Sequence, residues 1–199
     1  MPVLAPGVRG QTHLDDLISF DGTITTGGVA QLVLPQQPRR LALQIINTSS
    51  HQMNLGIGPA QATATLTSNA VSSVTVNNGG IGYTLPPAVV FCGGVVNGDY
   101  QTSPQHPAQA HATISGGAVT AVTIDDPGSG YVVAPLVYLM NPLPNLGGGA
   151  FLPSSTAGIP LTAGNFWSMS GSLLVPTSAV ALYGTTTGDT FVVKVGGLV

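Results

Sequence analysis

Part of this chain is written twice. Pro59-Ala60-Gln61-Ala62-Thr63-Ala64-Thr65-Leu66 returns 48 residues later as Pro107-Ala108-Gln109-Ala110-His111-Ala112-Thr113-Ile114. Ala70-Val71-Ser72-Ser73-Val74-Thr75-Val76 returns as Ala118-Val119-Thr120-Ala121-Val122-Thr123-Ile124, and Gly80-Ile81-Gly82-Tyr83 as Gly128-Ser129-Gly130-Tyr131. Agreement this long at one fixed offset defines two copies, 59–92 and 107–140. Each reads as strand, tight turn, strand, glycine-rich turn, tyrosine, proline, strand. The tight turns, Ser68-Asn69 and Gly116-Gly117, suit the positive φ of a two-residue hairpin loop. One three-stranded copy cannot bury its apolar face alone. Two copies set against each other can, which makes 59–149 a compact module. Between them, 93–106 is poor in strand formers and is an expected exposed loop, carrying Tyr100.

The flanks are punctuated in the same way without repeating. Short apolar or alternating runs at 29–34, 41–46 and 52–57, and again at 159–161, 166–169, 179–183 and 191–195, end in Gly, Pro or Asn turns. Twenty-seven glycines and 16 prolines work against helix interiors, while the many valines and threonines favour pleated strands. The expectation is an all-β fold: an antiparallel, jelly-roll-like β-sandwich built from 19–58 plus 150–199, with the duplicated module inserted between its halves. A single elongated sandwich is the competing layout. Separate domains before and after the module would have only three or four strands each, thin for an independent core. Residues 1–18 read as an arm packing on the body or on a neighbour, with a disordered terminus as the alternative.

Charge narrows the function. Four basic side chains face seven acidic ones, all aspartate, for a net charge of -3. Nucleic-acid binding draws its free energy from phosphate neutralisation, and Arg39-Arg40 is too small a footprint, so no nucleic-acid partner is expected. No apolar run is long enough for a membrane helix. The first ten residues lack the basic-then-apolar pattern of a leader, so synthesis in a cytoplasm is expected. Cys92, the single cysteine, sits in an apolar run and is expected to be a buried structural thiol.

Candidates for chemistry are few. Asp15-Asp16 and Asp125-Asp126 are the paired acids, and the second pair occupies the repeat position of Asn77-Asn78, which marks it as a turn former. His13, His51, His106 and His111 show no metal-ligand spacing, and His111 is Thr63 in the other copy. No serine sits in a Gly-x-Ser-x-Gly elbow. The glycine-rich turns lack the lysine and helix of a phosphate loop. No catalytic, cofactor-binding or metal-binding residue is assigned, no cofactor is expected, and the chain reads as a non-enzyme. The candidate contact residues are Tyr83, Tyr100, Tyr131, Trp167, Arg39 and Arg40. Tyr83 and Tyr131 either cover the ends of their own hairpins or present rings to a glycan or protein. Trp167 anchors either the sandwich or a subunit interface.

The stretch Val74-Thr75-Val76-Asn77-Asn78-Gly79-Gly80-Ile81-Gly82-Tyr83-Thr84-Leu85-Pro86-Pro87 and its counterpart 122–135 resemble the Gly-Ser-Gly-Tyr-x-x-x-Pro β units of tailed bacteriophage structural proteins. Arg39-Arg40-Leu41-Ala42-Leu43-Gln44-Ile45-Ile46-Asn47-Thr48-Ser49, and the closing hairpin from Ala179-Val180-Ala181-Leu182-Tyr183-Gly184 to Val195, are similar to segments of small phage head proteins. Ile81 departs from the usual serine. The resemblance implies a virion component. Capsid decoration or head-fibre protein comes first, and tail, adaptor or receptor (glycan)-binding protein second. It also implies a homotrimer whose partners are the major capsid protein or neighbouring virion proteins.

Overall fold

The computed structural model describes residues 17–37, 40–94, 106–140, 148–170 and 178–197. Every regular element among them is a strand, and every ladder is antiparallel. The fold is all-β.

The first four strands are β1 (Ile18–Thr23), β2 (Ala30–Leu34), β3 (Ala42–Asn47) and β4 (Met53–Ile57), and the last four are β11 (Ile159–Leu161), β12 (Phe166–Ser170), β13 (Val180–Gly184) and β14 (Thr190–Gly196). They form two four-stranded sheets, ordered β1-β14-β3-β12 and β11-β4-β13-β2. Alternation decides which face turns inward. Leu43 and Ile45 of β3, and Phe191, Val193 and Val195 of β14, meet Met53 and Leu55 of β4 and Val180 and Leu182 of β13 in one core. This pairing of the chain's two ends is called the two-sheet body below. Asn47, fully buried, ties its loops together: Nδ2 donates to His51 O at 2.7 Å and to Leu161 O at 2.9 Å, while Oδ1 accepts from Ser49 N.

The middle six strands are β5 (Gln61–Thr67), β6 (Ala70–Asn78), β7 (Ala88–Cys92), β8 (Gln109–Ser115), β9 (Ala118–Asp126) and β10 (Leu136–Met140). They make one sheet in the order β6-β5-β10-β7-β8-β9. Its outermost strands, β6 and β9, curl together, with Val71 N donating to Pro127 O and Val119 N to Gly79 O, so the sheet is a nearly closed barrel. Both hairpin turns have positive φ throughout, at Ser68 and Asn69 (52° and 62°) and at Gly116 and Gly117 (58° and 80°). Register shifts fall at matching places in the two hairpins, Gln61/Ala62 with Gln109/Ala110 and Thr65/Leu66 with Thr113/Ile114.

The two three-stranded copies do not form separate sheets. The third strands are exchanged: β10 of the second copy pairs with β5 of the first, β7 pairs with β8, and β7 and β10 pair with each other. The glycine-tyrosine link carries the chain across. Tyr83 N donates to Gly117 O in the turn of the other copy, and Tyr131 N donates to Asn69 O.

The barrel is seated on the body through its first copy. Ile81 and Ala150 exchange both backbone hydrogen bonds, at 2.8 and 2.7 Å, and Ile81 packs with Ala150, Ala179 and Ala181. Asn78 Nδ2 donates to Leu152 O while its Oδ1 accepts from Leu152 N. Gly82 lies so close to Leu32 of β2 that a Cβ there would come within 2.9 Å of it.

Strand β1 has no counterpart among the strand-like runs expected from the sequence, the first of which is 29–34. Gly22 is where the Phe191 ring covers the strand, 2.4 Å from any added Cβ.

Candidate functional site

Burial sorts the six candidate contact residues. Tyr83 and Tyr131 take the first of their two readings, covering the ends of their own hairpins: they are 3% and 1% exposed, so their candidacy as contact residues is corrected. The phenol of Tyr83 accepts a hydrogen bond from Ala60 N at 2.7 Å, and that of Tyr131 accepts from Ala108 N at 2.8 Å. Each ring thus fills the barrel end while satisfying the first backbone donor of its own copy, a group that would be costly to bury unpaired. Burial pushes the Tyr83 phenol above its ordinary pKa, and the bond from Ala60 opposes that.

Arg40 is also a correction, since it is buried. Its guanidinium donates to Ser178 O at 3.1 Å and Pro35 O at 3.0 Å, pinning two loops of the body. Desolvation lowers its pKa to about 10, which leaves it cationic at neutral pH. Trp167 is half-buried on β12, opposite Ile45, and packs on the body core. Tyr100 and Arg39 lie outside the described residues, as does most of the 93–106 loop.

Two apolar surfaces take the place of those residues. One is the outer wall of the barrel at β7 and β10. Leu136, Tyr138 and Met140 point outward there, directly opposite Cys92, Val90 and Ala88, and Leu136 is 64% exposed. Cys92 is therefore exposed, contrary to the buried thiol expected, because Val89 and Phe91 are the inward residues of β7. The signal was available: Leu-Val-Tyr-Leu-Met is apolar on both faces of a strand, which a strand wetted on one face does not need.

The other surface is split between the two edges of the body. On one edge, β1 and β2 flank an open groove of about 470 Å³, lined by Phe20, Gly22, Gln31, Val33, Phe191 and Val193. Ile18 and Phe20 lie opposite the core residues Val195 and Val193, yet Phe20 is 47% exposed, because among the described residues no strand lies beyond β1. On the far edge, Phe166 of β12 is 59% exposed, and Met169, opposite the core residue Leu43, is also exposed.

Three histidines are drawn into local pairs with aspartates. His51 Nδ1 lies 2.8 Å from Oδ1 of the buried Asp189, His111 Nδ1 lies 2.8 Å from Asp125, and His106 Nδ1 lies 3.3 Å from Asp126. Asp126 also accepts from Gly128 N as Asn78 accepts from Gly80 N, the turn-forming role expected of that position. Among the described residues, no three His, Cys, Asp or Glu side chains converge in a way that could hold a metal ion.

Fold and surfaces together define an all-β chain with a two-sheet body, a nearly closed barrel and apolar side chains left at strand edges. No family model matches it, and no curated protein or solved structure does either.

Proposed function

We propose that this chain is a structural component of a tailed bacteriophage particle, decorating or cementing the outer capsid surface as a homotrimer through β-rich contacts. The single observation that carries the reading is where the exposed apolar residues lie. Ile18, Phe20, Phe166 and Met169 sit on edge strands, and Leu136, Tyr138 and Met140 on one barrel face. Soluble monomers scatter such residues, whereas contiguous apolar strand surfaces mark sites of association. The low charge supports the same reading, because interface cores are depleted in charged residues. The resemblance of the Gly-Tyr-x-x-x-Pro units supports the virion setting.

In this reading the two-sheet body is a jelly-roll-like sandwich that grips the shell, and the barrel projects outward. The major capsid protein or neighbouring virion proteins are the partners, and function rests on surface fit. A tail, adaptor or glycan-binding role draws less support, since Tyr83 and Tyr131 are inside the barrel.

The test is imaging at side-chain resolution of particles assembled with the protein. The expected result is density for the body against the shell and for the barrel away from it. Absence of the protein from the head, or a barrel lying flat on the shell, would overturn the assignment of the base, the tip or the whole role.

A further inference from the structure

We propose that the two apolar edges of the body are halves of one contact, so that the β1/β2 edge of one copy receives the β12/β11 edge of the next and copies join head to tail. This deepens the assembly reading above and rests on it. The occupant of the groove is a second copy of this chain.

Strand direction is the first argument. Every pairing in β1-β14-β3-β12 is antiparallel, so direction alternates and β12 runs opposite to β1. The same alternation through β11-β4-β13-β2 sets β11 opposite to β2. A neighbour shifted sideways in the same orientation therefore brings its β12 antiparallel to β1 and its β11 antiparallel to β2. The first sheet continues across the boundary through β12 and β1, while β11, whose Pro160 has no N–H to donate, packs beside β2.

Faces agree as well. Ile18 and Phe20 lie on the core-facing side of β1, opposite Val195 and Val193, while Trp167 and Met169 lie on the core-facing side of β12, opposite Ile45 and Leu43. Placing the edges together joins the two interiors, and Phe20 and Met169, both exposed in one copy, become internal.

Edge chemistry is the second argument. Free edges are commonly protected by lysine, proline or inward-pointing charge. Of the four edge strands, β2 (AQLVL) and β12 (FWSMS) carry neither a charge nor a proline, whereas β1 carries Asp21 and β11 carries Pro160. A two-fold pairing of like edges would cover one apolar edge and leave the other in water. The head-to-tail contact covers both, and closing it into a ring keeps the assembly finite.

The test uses the full chain carrying Cys92→Ser, with mass measured by sedimentation. Phe20→Asp disables one edge and Met169→Asp the other. The parent is expected to be oligomeric, each variant monomeric, and an equimolar mixture of the two dimeric, because one intact groove meets one intact far edge. A second measurement does not depend on how either variant folds. Full chains with Ser19→Cys and Ser168→Cys, both exposed positions, are mixed and treated with a short bis-maleimide. Mixed cross-linked dimers well in excess of those from either chain alone are expected.

A monomeric parent would overturn the proposal. So would an oligomer retained by both variants, or folded variants that stay monomeric when mixed. A lack of mixed cross-links would also overturn it. Should particle imaging show the protein on the head while these results fail, only the edge pairing falls. Should mixing succeed and imaging fail, only the virion role falls.

Discussion

The two copies of the repeat share one skeleton and differ at the points where they meet different surroundings. Where they agree, they build the barrel: Tyr83 and Tyr131 cap Ala60 and Ala108, Ser72 and Thr120 donate to Thr65 and Thr113, and the strand-end contacts come in matching pairs. Where they differ, the first copy faces the body and the second faces solvent. Ile81 enters an alanine-lined seat, while its counterpart Ser129 bridges to the exposed His106. Asn78 clasps the backbone of Leu152, while Asp126 pairs with His106. Duplicated sequence therefore separates two kinds of information within one chain: matched residues report folding, and mismatched residues report docking.

Substitutions made in parallel in the two copies test this division. The largest effects are expected at Gly80 and Gly128, which have φ of 69° and 63°. A Cβ would stand 2.6 Å from Ala150 O at Gly80 and 2.5 Å from His106 O at Gly128. With the left-handed penalty alone at about 1–2 kcal/mol, each change to alanine should cost at least about 2 kcal/mol in urea denaturation. A neutral result at either glycine would break the shared frame.

Tyr83→Phe and Tyr131→Phe come next. Each strands a buried backbone N–H and should cost about 1–3 kcal/mol, equal in the two copies. Tyr83 adds a dependence on pH. Its folded-state pKa is raised, so the stability linked to it is complete below the free phenol value near 10 and falls as pH rises above that. Tyr83→Phe should flatten this alkaline decline in a melting series.

The docking half of the comparison calls for swaps. Ile81→Ser removes apolar packing against the body and should cost about 1–2 kcal/mol, whereas Ser129→Ile should change stability by less than about 0.5 kcal/mol. Equal effects would show that Ile81 is merely a barrel residue. Smallest of all, His111→Thr, which imports the residue of the first copy, breaks an exposed pair and should shift stability by under about 1 kcal/mol.

Much of the fold was readable in advance because strand alternation and turn chemistry are local properties. The repeat boundaries, both positive-φ hairpin turns and the all-β class follow from Val, Thr, Gly and Asn placed at short range. The strand exchange was not readable. Whether β7 returns to its own hairpin or crosses to the other depends on where the Gly80-to-Pro87 link points, and both outcomes satisfy the same alternation. Burial of Arg40 was hidden for a related reason: its partners, Pro35 O and Ser178 O, are backbone groups, one of them 138 residues away. The candidate surface was half legible. The doubly apolar run 136–140 announces an uncovered face, but the exposure of Phe20 follows only from the sheet order, which leaves β1 at a margin.

Tyr83 stands at the neck of the molecule. Its hydroxyl holds Ala60, where the chain enters the barrel, and its ring lies against Gly149, where the chain leaves. Both crossings thus pass one side chain, and the gap they leave in the body is only as wide as a single ring. A short glycine bridge could close that gap, or a foreign domain with adjacent termini could be grafted there, while the strands of the body kept their partners.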